Sequence, residues 1–343
     1  MSEATYEEAA AAFDEVQERF LKGIAPMIPS PVTGAPTDER RLEKALVEYA
    51  DLLKLDLPER KGHLAWLREG SLVMVFGPRG VGKTMLQLGL VASLTTGRDF
   101  LSWPIAAPVG ALYVDGEMPT EELRTRLTEM LPEMPKAPLF FLTGDLYYRR
   151  CEHDLVLTNP DTRERLLTLL DAHPEIKVVI LDNVSCLFPG LDEDKKRDWE
   201  PVAAFLVTLR RRGLAVVLVH HSGKGGQQRG TSGREDSLDV VIQLSRPSEY
   251  KPEEGCHFEL SFSKSRSVHG DLVKSLDVRL EQVDNRPTLT YRTLEKSKED
   301  QCRDLLQEGV ESVSELAEIL DVSKGYASKL KKKVQGGGNQ NAI

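Results

Sequence analysis

The stretch SLVMVFGPRGVGKT, residues 71–84, limits what this chain can fold into more than any other. Residues 72–76 are an apolar run of strand length, and residues 77–84 fit G-x-x-x-x-G-K-[ST]. Residues 85–94 then read as an amphipathic helix. A strand, a glycine-rich turn and a helix start together form a cradle for phosphate. Gly77, Gly80 and Gly82 are expected to bend the backbone with positive φ and allow close approach. Gly77, Pro78, Arg79, Gly80, Val81, Gly82, Lys83, Thr84 and Met85 are therefore the expected nucleotide-binding residues. Loop N–H groups and the positive end of the helix dipole would point at anionic oxygens. Lys83 is expected to reach the β- and γ-phosphates, and the Thr84 hydroxyl to hold Mg²⁺. ATP and Mg²⁺ are the ligands this pattern predicts.

The rest of the chain alternates in a way that suits such a cradle. Short apolar runs at 111–114, 139–142, 177–181 and 214–219 read as strands, with helices expected at 120 onward, 161–172 and 199–212. Strands alternating with helices imply a mainly parallel sheet covered on both faces. Runs at 240–244, 257–263, 275–280 and 288–292 have no long helices between them and read as antiparallel additions. The expected fold class is thus an α/β P-loop core with a mainly parallel central sheet extended by antiparallel strands. Small α-helical segments flank it at both ends. The division expected is 1–57 (helical segment and linker), 58–295 (ATPase core), 296–335 (a helical unit) and 336–343 (a disordered tail). Within the first segment, residues 1–22 and 38–55 read as helices around the proline-rich stretch 23–37. Leu42, Leu46, Tyr49 and Leu53 are spaced for one face. This segment suits a cap on the ATPase core or a bridge to a neighbouring subunit, or else a solvated helix without a partner.

Composition sets outer bounds. The 343 residues are 40% hydrophobic and 29% charged, ordinary for a globular chain. No apolar run reaches membrane-span length, and the acidic, alanine-rich start does not resemble a signal peptide. Four scattered cysteines without a C-x-x-C pair suit reduced thiols and a cytoplasmic setting. With 45 basic against 54 acidic residues, the net charge of −9 means that a nucleic-acid partner must be held by local basic patches.

In parallel sheets, reacting groups gather at the carboxyl ends of strands. Strand ends here deliver Gly77, Glu117, Asp182 and His220. The apolar strand ending in Asp182 reads as the acid that orients Mg²⁺. Asn183, not Glu, follows it, so the carboxylate that activates water must come from elsewhere. Glu117, just past the second strand, is the candidate base. A helix-start carboxylate stabilised by the dipole is the plainer reading of the same residue. Leu260, Phe262, Lys264 and Arg266 fall at alternate positions, and period two puts all four on one face. The pair of cations at the strand end suits either a phosphate or solvent. The loop GKGGQQRGTSGRED, residues 223–236, carries Lys224, Arg229 and Arg234. It can follow a phosphate backbone without reading bases, or be a flexible surface loop.

Taken together, residues 77–84, DGEMP at 115–119, the strand ending at Asp182 and HHSGK at 220–224 resemble the RecA-like hexameric helicase ATPases. The RepA-type plasmid and phage replication helicases are the nearest pattern, over roughly residues 65–295. The resemblance implies a RecA-like fold and a homo-oligomeric ring, expected as a hexamer, that hydrolyses ATP between subunits and moves single-stranded DNA. It implies Glu117 as catalytic base and His220 as sensor of the γ-phosphate. It also implies that Lys264 and Arg266 form a Lys-x-Arg finger reaching across the subunit boundary, and that the 223–236 region meets single-stranded DNA in a central channel.

Beyond the core, residues 313–320 read as a short helix with Leu316, Ile319 and Leu320 inward and Ser314 as N-cap. A turn at 321–323 leads to a second helix carrying Lys324, Lys329, Lys331, Lys332 and Lys333. With a preceding helix around Cys302, Leu305 and Leu306, this resembles a helix-turn-helix that can place its second helix in a duplex groove. A helical bundle that docks on a neighbour is the other reading of the same helices.

Overall fold

The computed structural model describes residues 45–57, 59–131, 133–191, 196–222, 237–295, 298–307 and 309–336. The chain divides into two compact units, Met1–Glu59 and Arg60–Ile343. The described part of the first holds one short helix, α1 (Tyr49–Leu52). Of the helix expected over 38–55, residues 38–44, Leu42 among them, lie outside the described residues; Ala45 and that turn are helical, residues 46–48 are not, and Leu46, Tyr49 and Leu53 are all exposed.

The second unit opens with a small hairpin, β1 (Gly62–Leu64) and β2 (Leu67–Arg68), and then enters the central sheet at β3 (Leu72–Gly77). The helix α2 (Lys83–Thr96) follows. Next come β4 (Gly110–Asp115), α3 (Thr120–Met130), β5 (Leu139–Thr143), α4 (Gly144–Cys151) and α5 (Pro160–Ala172). Then follow β6 (Ile176–Asp182), the turn α6 (Val184–Leu187), α7 (Lys196–Arg211) and β7 (Ala215–His221). Four more strands complete the sheet: β8 (Val240–Ser245), β9 (His257–Ser265), β10 (Leu276–Val283) and β11 (Arg286–Thr293). The described residues form a nine-stranded sheet in the order β11-β10-β9-β8-β3-β7-β6-β4-β5. From β8 to β5 every pairing is parallel; β9, β10 and β11 add antiparallel strands at one side. This is the expected α/β architecture, a mainly parallel sheet extended by antiparallel strands.

Apart from the half-buried β5, the parallel strands are almost wholly buried, and their residues sort by period two into two cores. Val73, Val75, Tyr113, Ile180 and Val217 face one side with Leu86, Leu90 and Leu94 of α2. Leu72, Met74, Leu112, Val179, Leu181 and Leu218 face the other, with Leu166 and Leu170 of α5 and Phe205, Leu206 and Leu209 of α7. The helix α2 is less amphipathic than expected. Leu86, Gln87, Leu88, Leu90, Val91, Ala92 and Leu94 are all buried. A second cover explains this: Leu289 of β11 packs so closely that a Cβ on Gly89 would lie 2.5 Å from it.

Three helices end the described chain: α8 (Lys298–Gln307), α9 (Val313–Ile319) and α10 (Lys324–Gly336). They enclose a small core of Cys302, Leu316, Ala317, Leu320, Ala327 and Leu330. Two local expectations are corrected here. The residue before α9 is Ser312, not Ser314. Ile319 is 52% exposed, because Leu316, Ala317 and Leu320 already fill the inward stripe.

Candidate active site

The parallel strands bring their carboxyl ends to one edge, and most of the candidate residues meet there. Register sets Asp115 of β4 opposite Asp182 of β6, and Gly77 of β3 opposite His221 of β7. The loop 78–82 then turns from β3 into α2. Gly80 and Gly82 take φ of 71° and 115°, which side chains rarely adopt. Gly77 does not have positive φ, contrary to expectation. Space requires it instead, since a Cβ there would sit 2.5 Å from the Leu244 carbonyl oxygen. Gly82 is the N-cap of α2 and supplies no capping side chain, which leaves the first-turn N–H groups without a side-chain partner.

A cavity of about 500 Å³ opens over this loop, lined by Arg79, Gly80, Gly82, Lys83, Thr84, Met85, Asp115, Glu117, Asp182, Asn183 and His221, among others. The Lys83 amine is buried and donates to the carbonyls of Gly77 (2.9 Å) and Pro78 (2.8 Å). Burial pushes its pKa down to about 8, opposed by the carboxylates of Asp182 and Glu117. Asp182 accepts from the Tyr113 hydroxyl at 2.6 Å and from the Thr84 hydroxyl. Burial raises its pKa, against the pull of those donors and of Lys83. Tyr113 is pushed well above its ordinary range by burial and by the Asp182 carboxylate.

Asp115 closes the loop after β4. Its Oδ1 accepts the N–H groups of Glu117 (2.9 Å) and Met118 (2.6 Å). Burial raises its pKa to about 6, although both backbone donors favour the carboxylate. Glu117 projects from this turn with 63% of its side chain exposed. Its Oε2 accepts from Asn183 Nδ2 and lies 3.9 Å from His221 Nε2. Three neighbouring strand ends thus surround one solvent-facing carboxylate.

An uncapped helix start, a buried cation and open space above Gly80 suit a triphosphate. Thr84 and Asp182 supply the hydroxyl and carboxylate oxygens that Mg²⁺ takes alongside phosphate oxygens. The residues present fit both groups.

Other predicted residues lie elsewhere. His220 is 1% exposed, level with Phe76, and does not line the cavity; His221 does. Lys264 and Arg266 do not share a face with Phe262 as period two implies. Val241 pairs with Lys264 while its neighbour Ile242 pairs with Phe262, so Ser263 is an extra residue in β9. A bulge shifts register by one and turns the following side chains to the other face. The pair also lies at the opposite edge of the sheet. Arg266 N bonds to Asp239 O, and Asp239 N to Leu72 O, at the start of β3. Lys224, Arg229 and Arg234 fall outside the described residues. Lys324, Lys329 and Lys332 are exposed on α10, whereas Lys331 donates to the Glu311 carbonyl and Lys333 pairs with Glu299.

Sequence reading missed Arg246. Just past β8, it donates to the carbonyls of Gly80, Gly255 (3.1 Å) and His257 (2.8 Å), and stacks 3.9 Å from the Tyr250 ring centre. It ties the tip of the phosphate loop to the antiparallel strands. No motif marks it, because its partner at Gly80 is distant in sequence.

Residues 37–227, more than half of the chain, match the family described as "AAA domain". No curated protein matches the chain in sequence. Among solved structures, a KaiC-like protein of the hyperthermophilic archaeon Pyrococcus horikoshii is similar. Sequence identity is 14% and the TM-score 0.46, over 68% of this chain and 99% of that one.

Proposed function

This chain belongs to the AAA-domain family, and from that premise we propose that it is an ATP-dependent DNA helicase or translocase of the RepA-like hexameric type. It hydrolyses ATP between subunits and acts on single-stranded DNA. One observation carries the hydrolytic part: Glu117, Lys83, Thr84 and Asp182 converge on one cavity. Lys83 leaves its own loop carbonyls to contact the β- and γ-phosphates. Thr84 and Asp182 would hold Mg²⁺, which when bound neutralises charge on the phosphates. The Glu117 carboxylate orients a water and takes its proton as the water oxygen bonds the γ-phosphorus. The bond from that phosphorus to the bridging oxygen breaks, and ADP and phosphate leave.

The DNA part rests on the sequence resemblance and on the lysines of α10, placed on a three-helix unit with its own core. That unit also supports a second reading, an ATPase that loads or regulates a protein–DNA complex without unwinding. Strand separation of a forked duplex by the purified protein with ATP and Mg²⁺ tests the motor. The Glu117→Gln protein should bind nucleotide yet separate no strands. ATP turnover with DNA binding but no strand separation by wild type would favour the loader.

A further inference from the structure

Asn183 is buried, and both ends of its amide are committed. The Oδ1 atom accepts the Cys186 N–H at 3.1 Å, as N-cap of α6. With the oxygen turned to that helix, Nδ2 faces Glu117 and donates to its Oε2. An amide NH₂ donates only, so it fixes one acceptor oxygen of Glu117 in place. Asp115 pins the Glu117 backbone independently. The side chain itself is largely exposed and has little packing to fix it. A carboxylate left to rotate in solvent is a poor base, because small misplacements cost up to ~10²-fold in rate.

We infer that Asn183 is the positioning residue of the catalytic base: its amide, oriented by the α6 cap, holds the Glu117 carboxylate at the phosphate cradle. This rests on the reading of Glu117 as base. It also gives a reason for the residue after Asp182 to be an amide. A carboxylate there would repel Glu117, and an apolar residue would release it.

Asn183→Ser and Asn183→Thr both keep a cap oxygen for α6 but are too short to reach Glu117. Each should lower kcat by ~10–100-fold and leave the affinity for a fluorescent ATP analogue unchanged. That affinity also reports that the variant is folded. The decisive arm is a double-mutant cycle read in single-turnover hydrolysis. In a Glu117→Gln background, Asn183→Ser should change the residual rate by less than about twofold, since its only route to the reaction is gone. An equal loss in both backgrounds, or wild-type kcat in both the Ser and Thr variants, would overturn the inference. Wild-type turnover by Glu117→Gln alone would instead strike the base reading, and this inference with it. That outcome is told apart because it needs no change at position 183.

Discussion

At the carboxyl edge, burial displaces the pKa values of several single side chains. Lys83 is pushed down to about 8 and Asp115 up to about 6, while Asp182 and Tyr113 are also raised, in every case first by loss of solvent. What keeps these groups together is their mutual arrangement: a cation beside two carboxylates, with hydroxyls and N–H groups filling the remaining acceptor positions. Such a cluster is poised to exchange its internal partners for phosphate oxygens. A separate titration lies in β1. His63 is 6% exposed, and burial lowers its pKa, opposed by the Glu69 carboxylate. A histidine whose folded pKa lies below its unfolded value costs stability only where the unfolded chain gains the proton. That happens as pH falls through about 6.5. The wild type should therefore lose stability between pH 7.5 and 5.5 faster than His63→Gln, by up to ~1.4 kcal/mol at pH 5.5. Urea unfolding of both proteins at the two pH values measures this. Parallel losses in the two proteins would mean that His63 stays solvated enough to protonate in the fold.

Elements differ in how far the sequence reveals them, and the reason is the distance over which each is specified. The strand–loop–helix at 72–96 and the strand ending at Asp182 are written in contiguous residues, and both stand where expected. The hairpin β1–β2 and the turn α6 are too short for periodicity to register. The bulge at Ser263 is invisible in β9 alone, because it exists only against β8. Asn183 was legible as a residue but not as the partner of Glu117, 66 positions away. The same holds for Arg246 and Gly80, separated by 166. The three-helix unit is legible in outline because its helices carry local signals, whereas Ile319 needed the packed stripe to be placed outside. That unit is small and depends on few buried side chains, so each matters. Leu316→Ala removes a fully buried side chain and should destabilise the unit by about 2–5 kcal/mol. If α10 meets duplex DNA, affinity should fall with it and the salt dependence of binding should become shallower. Nucleotide affinity should not change. Unaltered duplex affinity, with amide exchange showing the unit opened, would assign these helices to another role.

At the scale of the whole molecule, the sheet separates the two sets of charges that the sequence resemblance joins. The phosphate cradle stands at the carboxyl end of β3, whereas Arg266 is tied by backbone hydrogen bonds through Asp239 to Leu72 at the amino end. Five residue steps of about 3.3 Å put these ends ~17 Å apart, further than an arginine side chain extends. Arg266 therefore does not serve the cradle of its own chain, and a role at phosphate requires a second copy. The bulge at Ser263 matters here, since it turns Lys264 away from the face that Phe262 shares with the α2-side core. On the proposed ring reading, Arg266→Ala should leave nucleotide affinity nearly intact and lower turnover by ~10³-fold. Glu117→Gln should fail for a different reason, at the other edge of the sheet. Subunits carrying one change each then have complementary defects. A mixed ring contains interfaces in which an intact Glu117 faces an intact Arg266, and those interfaces should recover hydrolysis that neither variant shows alone. Activity plotted against mixing ratio should pass through a maximum, with subunit exchange verified by labelled protomers. A flat line at the level of the inactive parents would reject the trans arrangement. Normal turnover by Arg266→Ala alone would reduce the pair to a charged patch at the amino edge.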